Sequence, residues 1–459
     1  MHITRIHARE VFDSRGKPTV EVEVSCAGGR TGRAIVPSGA STGQYEACEL
    51  RDGGPRLGGT GVRRAVENVL REIAPAVVGM DVADQTAIDR RMLELDSTEN
   101  KSRLGANAVL GVSLACAHAA SASAGVPLVT HLNKLWKCVP PSVPDAQSVR
   151  DTGAAIALGK NLIIPLPMVN MISGGLHAGR NLDFQDFLIL PVGATSYREA
   201  LDWIITVYHQ LGRLLATRGY EGVLVGDEGG YGPKLAGNEQ AVELVVAAIE
   251  AAGYAPGRDI AIGLDVAATH FFDGTHYRLS ATGDKRLAAG EIIDQLEGWV
   301  DRYPIVSIED ALADDDWDGW KQLTARLSQR VQLIGDDLFV TNSARLRRGI
   351  DAGVANSVLV KVNQIGTLTE TLATLRLALD HGYTPVISAR SGETEDATIA
   401  DLAVATGAGQ IKIGSVARSE RLTKYNQLLR LEEQLGNNAP WLGGQIFQSK
   451  IQNLKSKIP

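Results

Sequence analysis

The sequence predicts an α/β protein: a (β/α)8-type TIM barrel that follows an N-terminal α+β domain. From about residue 161 onward, short apolar runs alternate with amphipathic helical patterns, as in the βα units of a parallel sheet. Successive runs end 24 to 44 residues apart in polar side chains: Asp265, Glu309, Asp336, Lys361, Ser388 and Lys412. These intervals suit a strand, a helix and two loops, so a barrel would bring the side chains to one end.

The N-terminal part combines strand and helix patterns. Residues 19–24 alternate in polarity with a period of two, whereas residues 62–73 repeat apolar side chains at helical spacing. Between them, residues 37–43 (PSGASTG) are typical of a mobile loop. We therefore expect residues 1–137 to form an α+β domain that caps the barrel and carries this loop.

A cluster of prolines marks the expected domain boundary. Residues 138–144 contain three prolines, the densest such cluster in the chain. We interpret residues 138–160 as a proline-rich linker or insertion. Residues 161–459 would then form the (β/α) barrel domain.

Composition narrows the classes of partner. The formal net charge is −7 and no run of lysine or arginine forms a basic stripe, which argues against nucleic acid. The chain shows no apolar h-region and no apolar run that approaches the length of a membrane span. We therefore expect a cytoplasmic protein with no membrane partner.

Lys361 stands inside an apolar run. Residues 358–362 indicate a strand buried on both faces that leads into a polar, glycine-containing turn. Burial disfavours the ammonium ion and lowers its pKa, so Lys361 is a candidate general base. The alternative is a lysine that extends from the strand end into solvent.

Three predicted strand ends carry carboxylates: Asp265, Glu309 and Asp336. Close together they would repel each other, so a divalent cation with oxygen ligands, Mg²⁺ above all, is their expected partner. The alternative is salt bridging to Lys361 and Lys412. A base beside a metal ion suits removal of a proton next to a carboxylate, because the metal stabilises the resulting negative charge.

Seven short segments, in order along nearly the whole chain, carry a family resemblance. They are residues 13–16 (DSRG), 37–43 (PSGASTG), 226–230 (GDEGG), 307–310 (SIED), 361–367 (KVNQIGT), 390–396 (RSGETED) and 417–421 (ARSER). Together they closely resemble the enolase family, the phosphopyruvate hydratases of glycolysis. The resemblance implies an enolase-type barrel, a Mg²⁺-dependent carbon-oxygen lyase activity, a small phosphorylated or phosphonylated carboxylate substrate, and a homodimer or higher homo-oligomer.

The resemblance also implies the chemistry of particular residues. Lys361 would take the C2 proton and Glu228 would help the C3 hydroxyl to leave. Two Mg²⁺ ions are implied, of which the second binds together with substrate through Ser41. The first would be held by the three strand-end carboxylates, Asp265, Glu309 and Asp336.

Further residues would surround the substrate. By the resemblance, Lys412 lies beside the substrate carboxylate, and Arg390 and Ser391 contact the phosphate. The remaining candidate substrate-binding residues are His177, Gln185, Asp186 and Ser388.

The sequence departs from the family pattern at the same pocket. Ala389 stands where enolases have a histidine, and Asp186 replaces a glutamate. The other departures are Ser173 for asparagine, Ala311 for proline, and Thr269 and His270 for the usual Ser-Glu pair.

Three functions are compatible with these departures. The first is the dehydration of 2-phosphoglycerate to phosphoenolpyruvate. The second is the same enol chemistry on a modified substrate, for example forming carboxyphosphonoenolpyruvate in phosphonate natural-product biosynthesis. The third, a retired enzyme that serves as a binding protein, is least favoured because the candidate base and metal ligands are all present.

Overall fold

The computed structural model describes residues 1–40, 43–142, 158–281 and 283–447. Its N-terminal domain begins with three strands and continues as helices: β1 (Ile3–Phe12), β2 (Pro18–Cys26), β3 (Thr31–Ile35), α1 (Arg63–Asn68), α2 (Ala74–Val77), α3 (Gln85–Asp96), α4 (Ala106–Ala124) and α5 (Leu128–Cys138). Part of the predicted linker, residues 143–157, lies outside the described residues, so the predicted domain boundaries stay a prediction.

The N-terminal domain packs an antiparallel sheet, in the order β1-β2-β3, against α4. The alternating pattern in β2 is explained by this packing, because Val20, Val22 and Val24 are completely buried. Gly32 on β3 meets α4 so closely that a Cβ would lie 2.1 Å from the Ala119 nitrogen. The predicted α+β character of this domain is therefore observed.

Helix α4 is apolar around most of its circumference. Of the described helices, it is the one with the length and composition to cross a membrane, yet 83% of its most apolar window is buried in the protein. Its contacts with β2, β3 and α5 make it the core helix of the N-terminal domain.

The second domain contains the following elements: β4 (Leu166–Ser173), β5 (Asp186–Leu190), α6 (Tyr197–Thr217), α7 (Asn238–Ala251), β6 (Ala261–Asp265), β7 (Tyr277–Leu279), β8 (Lys285–Leu287), α8 (Ala289–Arg302), β9 (Ile305–Glu309), α9 (Trp317–Leu327), β10 (Gln332–Gly335), α10 (Ser343–Ala352), β11 (Ser357–Val360), α11 (Val362–Ile365), α12 (Leu368–Asp380), β12 (Thr384–Ser388), α13 (Thr398–Thr406), β13 (Gln410–Gly414) and α14 (Ser419–Leu435). Strands β7 and β8 form a separate hairpin.

The described strands of this domain close into a barrel in the order β10-β11-β12-β13-β4-β5-β6-β9. This closed barrel confirms the predicted fold class. One strand differs from a wholly parallel barrel, because β5 runs antiparallel to both β4 and β6. The connection from β4 to β5 holds only a short 3-10 turn, too little for the helical crossover that parallel neighbours need.

The register of the barrel strands brings the polar strand ends together. In the backbone register, Asp265 lies opposite Asp186 of β5 on one side and opposite Glu309 of β9 on the other. Across the barrel, Ser388 of β12 lies opposite Lys412 of β13. Because the parallel strands end at the same level, these side chains share the C-terminal end of the barrel, as the spacing predicted.

Candidate active site

Lys361 directly follows β11, where the local sequence ends the strand. After the single turn of α11, Gly366 adopts a φ of 95°, a conformation that would strain any other residue. Thr367 then caps α12, since its hydroxyl accepts a hydrogen bond from the Glu370 N–H. These local signals hold Lys361 at the barrel mouth.

The Lys361 ammonium group donates to Asp336 Oδ2 at 2.5 Å, and its side chain is 14% exposed. Burial disfavours the ammonium ion, but the negative charges of Asp336 and Glu309 outweigh burial and raise the pKa of Lys361. The expectation that burial lowers this pKa is therefore wrong for the structure described. The pKa of Lys361 would fall if a further positive charge beside Asp336 offset the negative charge of that carboxylate.

Lys412 joins two of the three predicted metal ligands. Its Nζ lies 2.7 Å from both Asp265 Oδ2 and Glu309 Oε2. Burial and the neighbouring Asp265 carboxylate raise the pKa of Glu309 well above its usual value. The salt bridges considered as the alternative to metal binding are thus present, made by both lysines.

These side chains also fit the chemistry of a divalent cation. Asp265 and Glu309 already converge on one positive charge, the Lys412 ammonium group. Beside them, Gln185 Nε2 donates to Asp265 Oδ2 at 3.3 Å, while Gln185 Oε1 is buried without a hydrogen-bond partner. A site of buried carboxylate and amide oxygens suits Mg²⁺, which prefers hard oxygen ligands.

Two compact groups of ligand atoms occur among the described residues. In each group the atoms lie within 4.8 Å of one another, and neither group is the predicted trio of Asp265, Glu309 and Asp336. The groups are His177, Asp186 and Glu228, and Asp310, Asp336 and Asp337. Within the predicted trio, Asp336 pairs with Lys361, whereas Asp265 and Glu309 pair with Lys412. Ser41, the predicted ligand of a second ion, lies outside the described residues.

His177 links two buried carboxylates. Its Nδ1 lies 2.9 Å from Asp186 Oδ2, and its Nε2 lies 3.8 Å from Glu228 Oε1. Burial lowers the pKa of His177, but Asp186 and Glu228 outweigh burial and raise this pKa to about 9. The structure thus brings together three residues that the sequence placed on separate segments, with His177 as a cation.

The charge on Glu228 differs from what a proton donor requires. Burial raises its pKa, but the positive charges of His177, Arg421 and Lys412 outweigh burial and lower it. Glu228 is therefore a carboxylate in this structure. Any proton that it delivers has to reach it from a neighbour, and protonated His177 is the nearby source.

The predicted phosphate contacts lie after β12 and face the N-terminal domain. Arg390 donates from Nη1 to Glu46 Oε2 at 2.8 Å and to Asn363 Oδ1 at 3.1 Å. The Ser391 hydroxyl accepts from the Ala40 N–H at 2.7 Å and from Arg15 Nη1 at 3.2 Å. Both domains therefore contribute to this part of the pocket.

Ala389 lies between Ser388 and Arg390 and is 5% exposed. Its N–H donates to Lys412 O at 2.8 Å, which ties β12 to β13. The Ser388 hydroxyl donates to the Ala389 carbonyl at 2.9 Å, so in this structure it serves the backbone. The methyl group of Ala389 supplies no hydrogen-bond donor or acceptor, although both neighbours, Ser388 and Arg390, are candidate substrate-binding residues.

Sequence reasoning missed several residues that shape this site. Glu46 pairs with Arg390, Gln364 Nε2 donates to Asp336 Oδ1 at 2.8 Å, and Asp310 accepts the Asp336 and Asp337 N–H groups. Asp310 and Gln364 lie inside recognised motifs, so adjacency to predicted ligands could have indicated them. Glu46 offered no comparable signal.

Comparison with known proteins assigns the chain to a family. A family model described as the enolase N-terminal domain matches residues 3–132, and one described as the enolase C-terminal TIM barrel domain matches residues 161–450. The chain belongs to the enolase family. A curated protein named enolase, from Rubrobacter xylanophilus, is 53% identical over 451 residues, which cover 98% of this chain and 99% of that protein.

Family membership confirms the class of enzyme. Members of the enolase family are hydro-lyases, so this chain is a carbon-oxygen lyase of the phosphopyruvate hydratase type. The barrel and the N-terminal domain found in the structure correspond to the two matched regions. The roles of individual side chains and the identity of the substrate are taken up next.

Proposed function

We propose that the chain removes the C2 proton of 2-phosphoglycerate and eliminates water, in a Mg²⁺-dependent reaction, to form phosphoenolpyruvate. The observation that carries this proposal is the set of buried ion pairs at the barrel mouth, Lys361 with Asp336 and Lys412 with Asp265 and Glu309. It provides a candidate base, a cation for the substrate carboxylate and three metal ligands within one pocket of an enolase-family barrel.

In the proposed reaction, Lys361 accepts the C2 proton as a neutral amine, a form that would require a cation at Asp336 to offset the negative charge that raises the pKa of Lys361 in this structure. The electron pair of that C–H bond moves toward the substrate carboxylate, where Lys412 provides positive charge. Asp265, Glu309 and Asp336 would hold Mg²⁺, which would supply further positive charge beside that carboxylate when bound. Loss of the C3 hydroxyl with a proton then forms the double bond and releases water.

The leaving hydroxyl needs a proton, and His177 and Glu228 are the pair proposed to deliver it. The His177 ring is cationic and lies 3.8 Å from the Glu228 carboxylate. A proton that passes from His177 to Glu228 gives a carboxylic acid within the pocket, and Asp186 stabilises the cationic ring beforehand. Glu228 thus acts as the acid although it is ionised in the resting structure.

The assay of this proposal follows the ultraviolet absorbance of phosphoenolpyruvate formed from 2-phosphoglycerate. We expect turnover that requires Mg²⁺ and is lost when a chelator is added. The absence of turnover, in a folded protein supplied with Mg²⁺, would refute 2-phosphoglycerate as the substrate.

Ala389 favours a second candidate function, the same proton abstraction on a modified substrate. The alanine replaces the imidazole that enolases have just before the phosphate contacts with a smaller, uncharged side chain, which would suit a larger or differently charged substrate group. Formation of carboxyphosphonoenolpyruvate is one such reaction. Slow turnover of 2-phosphoglycerate, together with retained exchange of the α-proton of a phosphonate analogue, would support this candidate.

The resemblance to enolases also underlies our proposals for assembly and location. We propose a homodimer or higher homo-oligomer that acts in the cytoplasm, with no nucleic acid or membrane partner. Sedimentation equilibrium of the purified protein tests the assembly directly, since a monomer over the whole concentration range would refute it.

A further inference from the structure

Arg421, in the first turn of α14, is a buried cation that binds backbone carbonyl groups. Its side chain is completely inaccessible, and its ion pair with Glu420 is long, 3.8 Å from Nε to Oε1. A desolvated charge usually requires a close carboxylate partner. Here the two Nη atoms donate instead to Arg390 O at 2.6 Å, Ser391 O at 2.5 Å and Ile413 O at 3.0 Å.

These three carbonyl groups lie at the C-terminal ends of two neighbouring barrel strands. Ile413 lies on β13, and Arg390 and Ser391 follow β12 after Ala389. A guanidinium group is planar and donates in fixed directions, so it sets the relative positions of the carbonyls that it binds. Arg421 therefore holds the backbone of Arg390 and Ser391 against the end of β13.

The side chains on that backbone are the predicted phosphate contacts. The Arg390 guanidinium group extends toward Glu46 and Asn363, and the Ser391 hydroxyl meets the Ala40 N–H. Both side chains leave the peptide segment whose carbonyls Arg421 fixes. A shift of this segment would move both contacts at once.

The same arginine packs beside Glu228. Gly414 has a φ of 105°, and a Cβ there would lie 3.0 Å from Arg421 Cδ and 3.2 Å from Glu228 Cβ. The missing side chain at Gly414 thus allows Arg421 to approach Glu228. Glycine is required at this position for both its conformation and this close packing.

We propose that Arg421 is a positioning residue that sets Arg390 and Ser391 for binding the phosphate or phosphonate group of the substrate. It acts through two carbonyl groups and does not touch the substrate, because its side chain is buried beneath them. The inference rests on the proposed function, in which Arg390 and Ser391 bind that group.

The affinity of the full-length protein for inorganic phosphate, measured by calorimetry with Mg²⁺ present, tests this proposal. Arg421→Gln should weaken phosphate binding about tenfold or more, since small displacements of binding groups are costly. Arg421→Lys keeps the charge but not the planar fork, so its affinity should be intermediate. The matched control variant is Tyr425→Phe, which removes a different buried hydrogen bond of α14, from Tyr425 Oη to Gly414 O at 2.7 Å.

Tyr425→Phe should leave phosphate affinity within about twofold of wild type, because only a single neutral hydrogen bond away from the phosphate contacts is lost. Equal affinities of wild type and a folded Arg421→Gln would overturn the inference. If Arg421→Gln does not fold, the phosphate affinity of Arg421→Lys is measured instead, at a temperature where circular dichroism shows that this variant is folded. An affinity equal to that of wild type would then overturn the inference.

Turnover of 2-phosphoglycerate, measured in parallel, separates this inference from the proposed function. Phosphate binding that depends on Arg421 in a wild type without turnover would refute 2-phosphoglycerate as the substrate and support the positioning role. A wild type with no measurable phosphate affinity would overturn the inference itself.

Discussion

Glu46 and Arg390 form a two-armed ion pair at the predicted phosphate site. Glu46 Oε2 lies 2.8 Å from Arg390 Nη1, and Glu46 Oε1 lies 3.3 Å from Arg390 Nη2. Both side chains are buried: that of Arg390 is 4% exposed and that of Glu46 is 6% exposed. Glu46 Oε1 also accepts the Gly43 N–H at 2.9 Å, at the last residue of the predicted loop 37–43. A carboxylate of the N-terminal domain therefore engages the cation proposed to bind phosphate.

This relationship predicts that Glu46 competes with anionic ligands for Arg390. Glu46→Gln keeps a side-chain oxygen for the Gly43 N–H but removes the negative charge. We expect phosphate affinity to rise by about threefold to tenfold, because the guanidinium charge is no longer offset within the pocket. Calorimetry with inorganic phosphate measures this change. Weaker binding by the variant would show instead that Glu46 orients Arg390.

Lys361→Ala should abolish exchange of the substrate α-proton with solvent. The amine is the proposed base, and alanine leaves no group at that position to accept the proton. Proton NMR in deuterated buffer follows the exchange independently of water loss. The control is Lys321→Ala, which removes a lysine on α9 that is 53% exposed and pairs with Asp318 of the same helix. Exchange retained by Lys361→Ala would remove Lys361 from the reaction.

Ala389→His should raise kcat/KM for 2-phosphoglycerate by about tenfold or more, since a positioned imidazole commonly contributes at least that factor. The comparison variant is Ala389→Leu, which adds volume without a donor and should give no gain. Initial rates of phosphoenolpyruvate formation measure all three proteins. A wild type that already turns over at about 10 s⁻¹, a typical enzyme rate, would argue against a modified substrate.

The spacing of polar strand ends predicted βα units and the side chains that share one end of the barrel, while the enolase type of barrel was implied by the family resemblance. A strand, a helix and two loops need a minimum number of residues, so the similar intervals between Glu309, Asp336 and Lys361 carry three-dimensional information. The longer interval from Asp265 to Glu309 also contains the hairpin of β7 and β8. The direction of β5 was not predictable in this way. An apolar run specifies burial, whereas its antiparallel pairing depends on the short connection from β4.

The electrostatics of the pocket depended on contacts that no local pattern encodes. The apolar run around Lys361 correctly indicated burial, but its pKa is set by Asp336, a neighbour from another strand. Glu46 is 344 residues from Arg390 and meets it only because the two domains pack together. Local sequence patterns therefore located the site, while its charge balance required the folded structure.

Mg²⁺ should stabilise the folded protein as well as support turnover. A ligand that binds only the folded state, at about 100 times its Kd, adds about 2.7 kcal/mol to the free energy of unfolding. Differential scanning fluorimetry should show a higher Tm with MgCl₂ in wild type and a much smaller shift in Glu309→Gln. Asp318→Asn, at a side chain 91% exposed, should keep the full shift. Equal shifts in wild type and Glu309→Gln would exclude Glu309 as a ligand.

Asp401 on α13 should make stability depend on pH. The residue is 5% exposed and accepts a hydrogen bond from Gln427 Nε2 at 3.0 Å. Burial raises the pKa of Asp401 to about 6, while Gln427 opposes part of this rise. Because the folded-state pKa exceeds the unfolded-state pKa of about 3.9, protonated Asp401 stabilises the fold fully below pH ~4. This contribution is lost as the pH rises through about 6.

Asp401→Asn stays neutral and can still accept the hydrogen bond from Gln427. We expect the variant to exceed wild type in free energy of unfolding by about 2–3 kcal/mol at pH 8 and by nearly zero at pH 4. Urea unfolding monitored by circular dichroism between these pH values measures the difference. Asp351→Asn, at an exposed position on α10, should change stability by less than about 0.5 kcal/mol throughout. A difference for Asp401→Asn that is the same at pH 4 and pH 8 would show that ionisation of Asp401 is not its source.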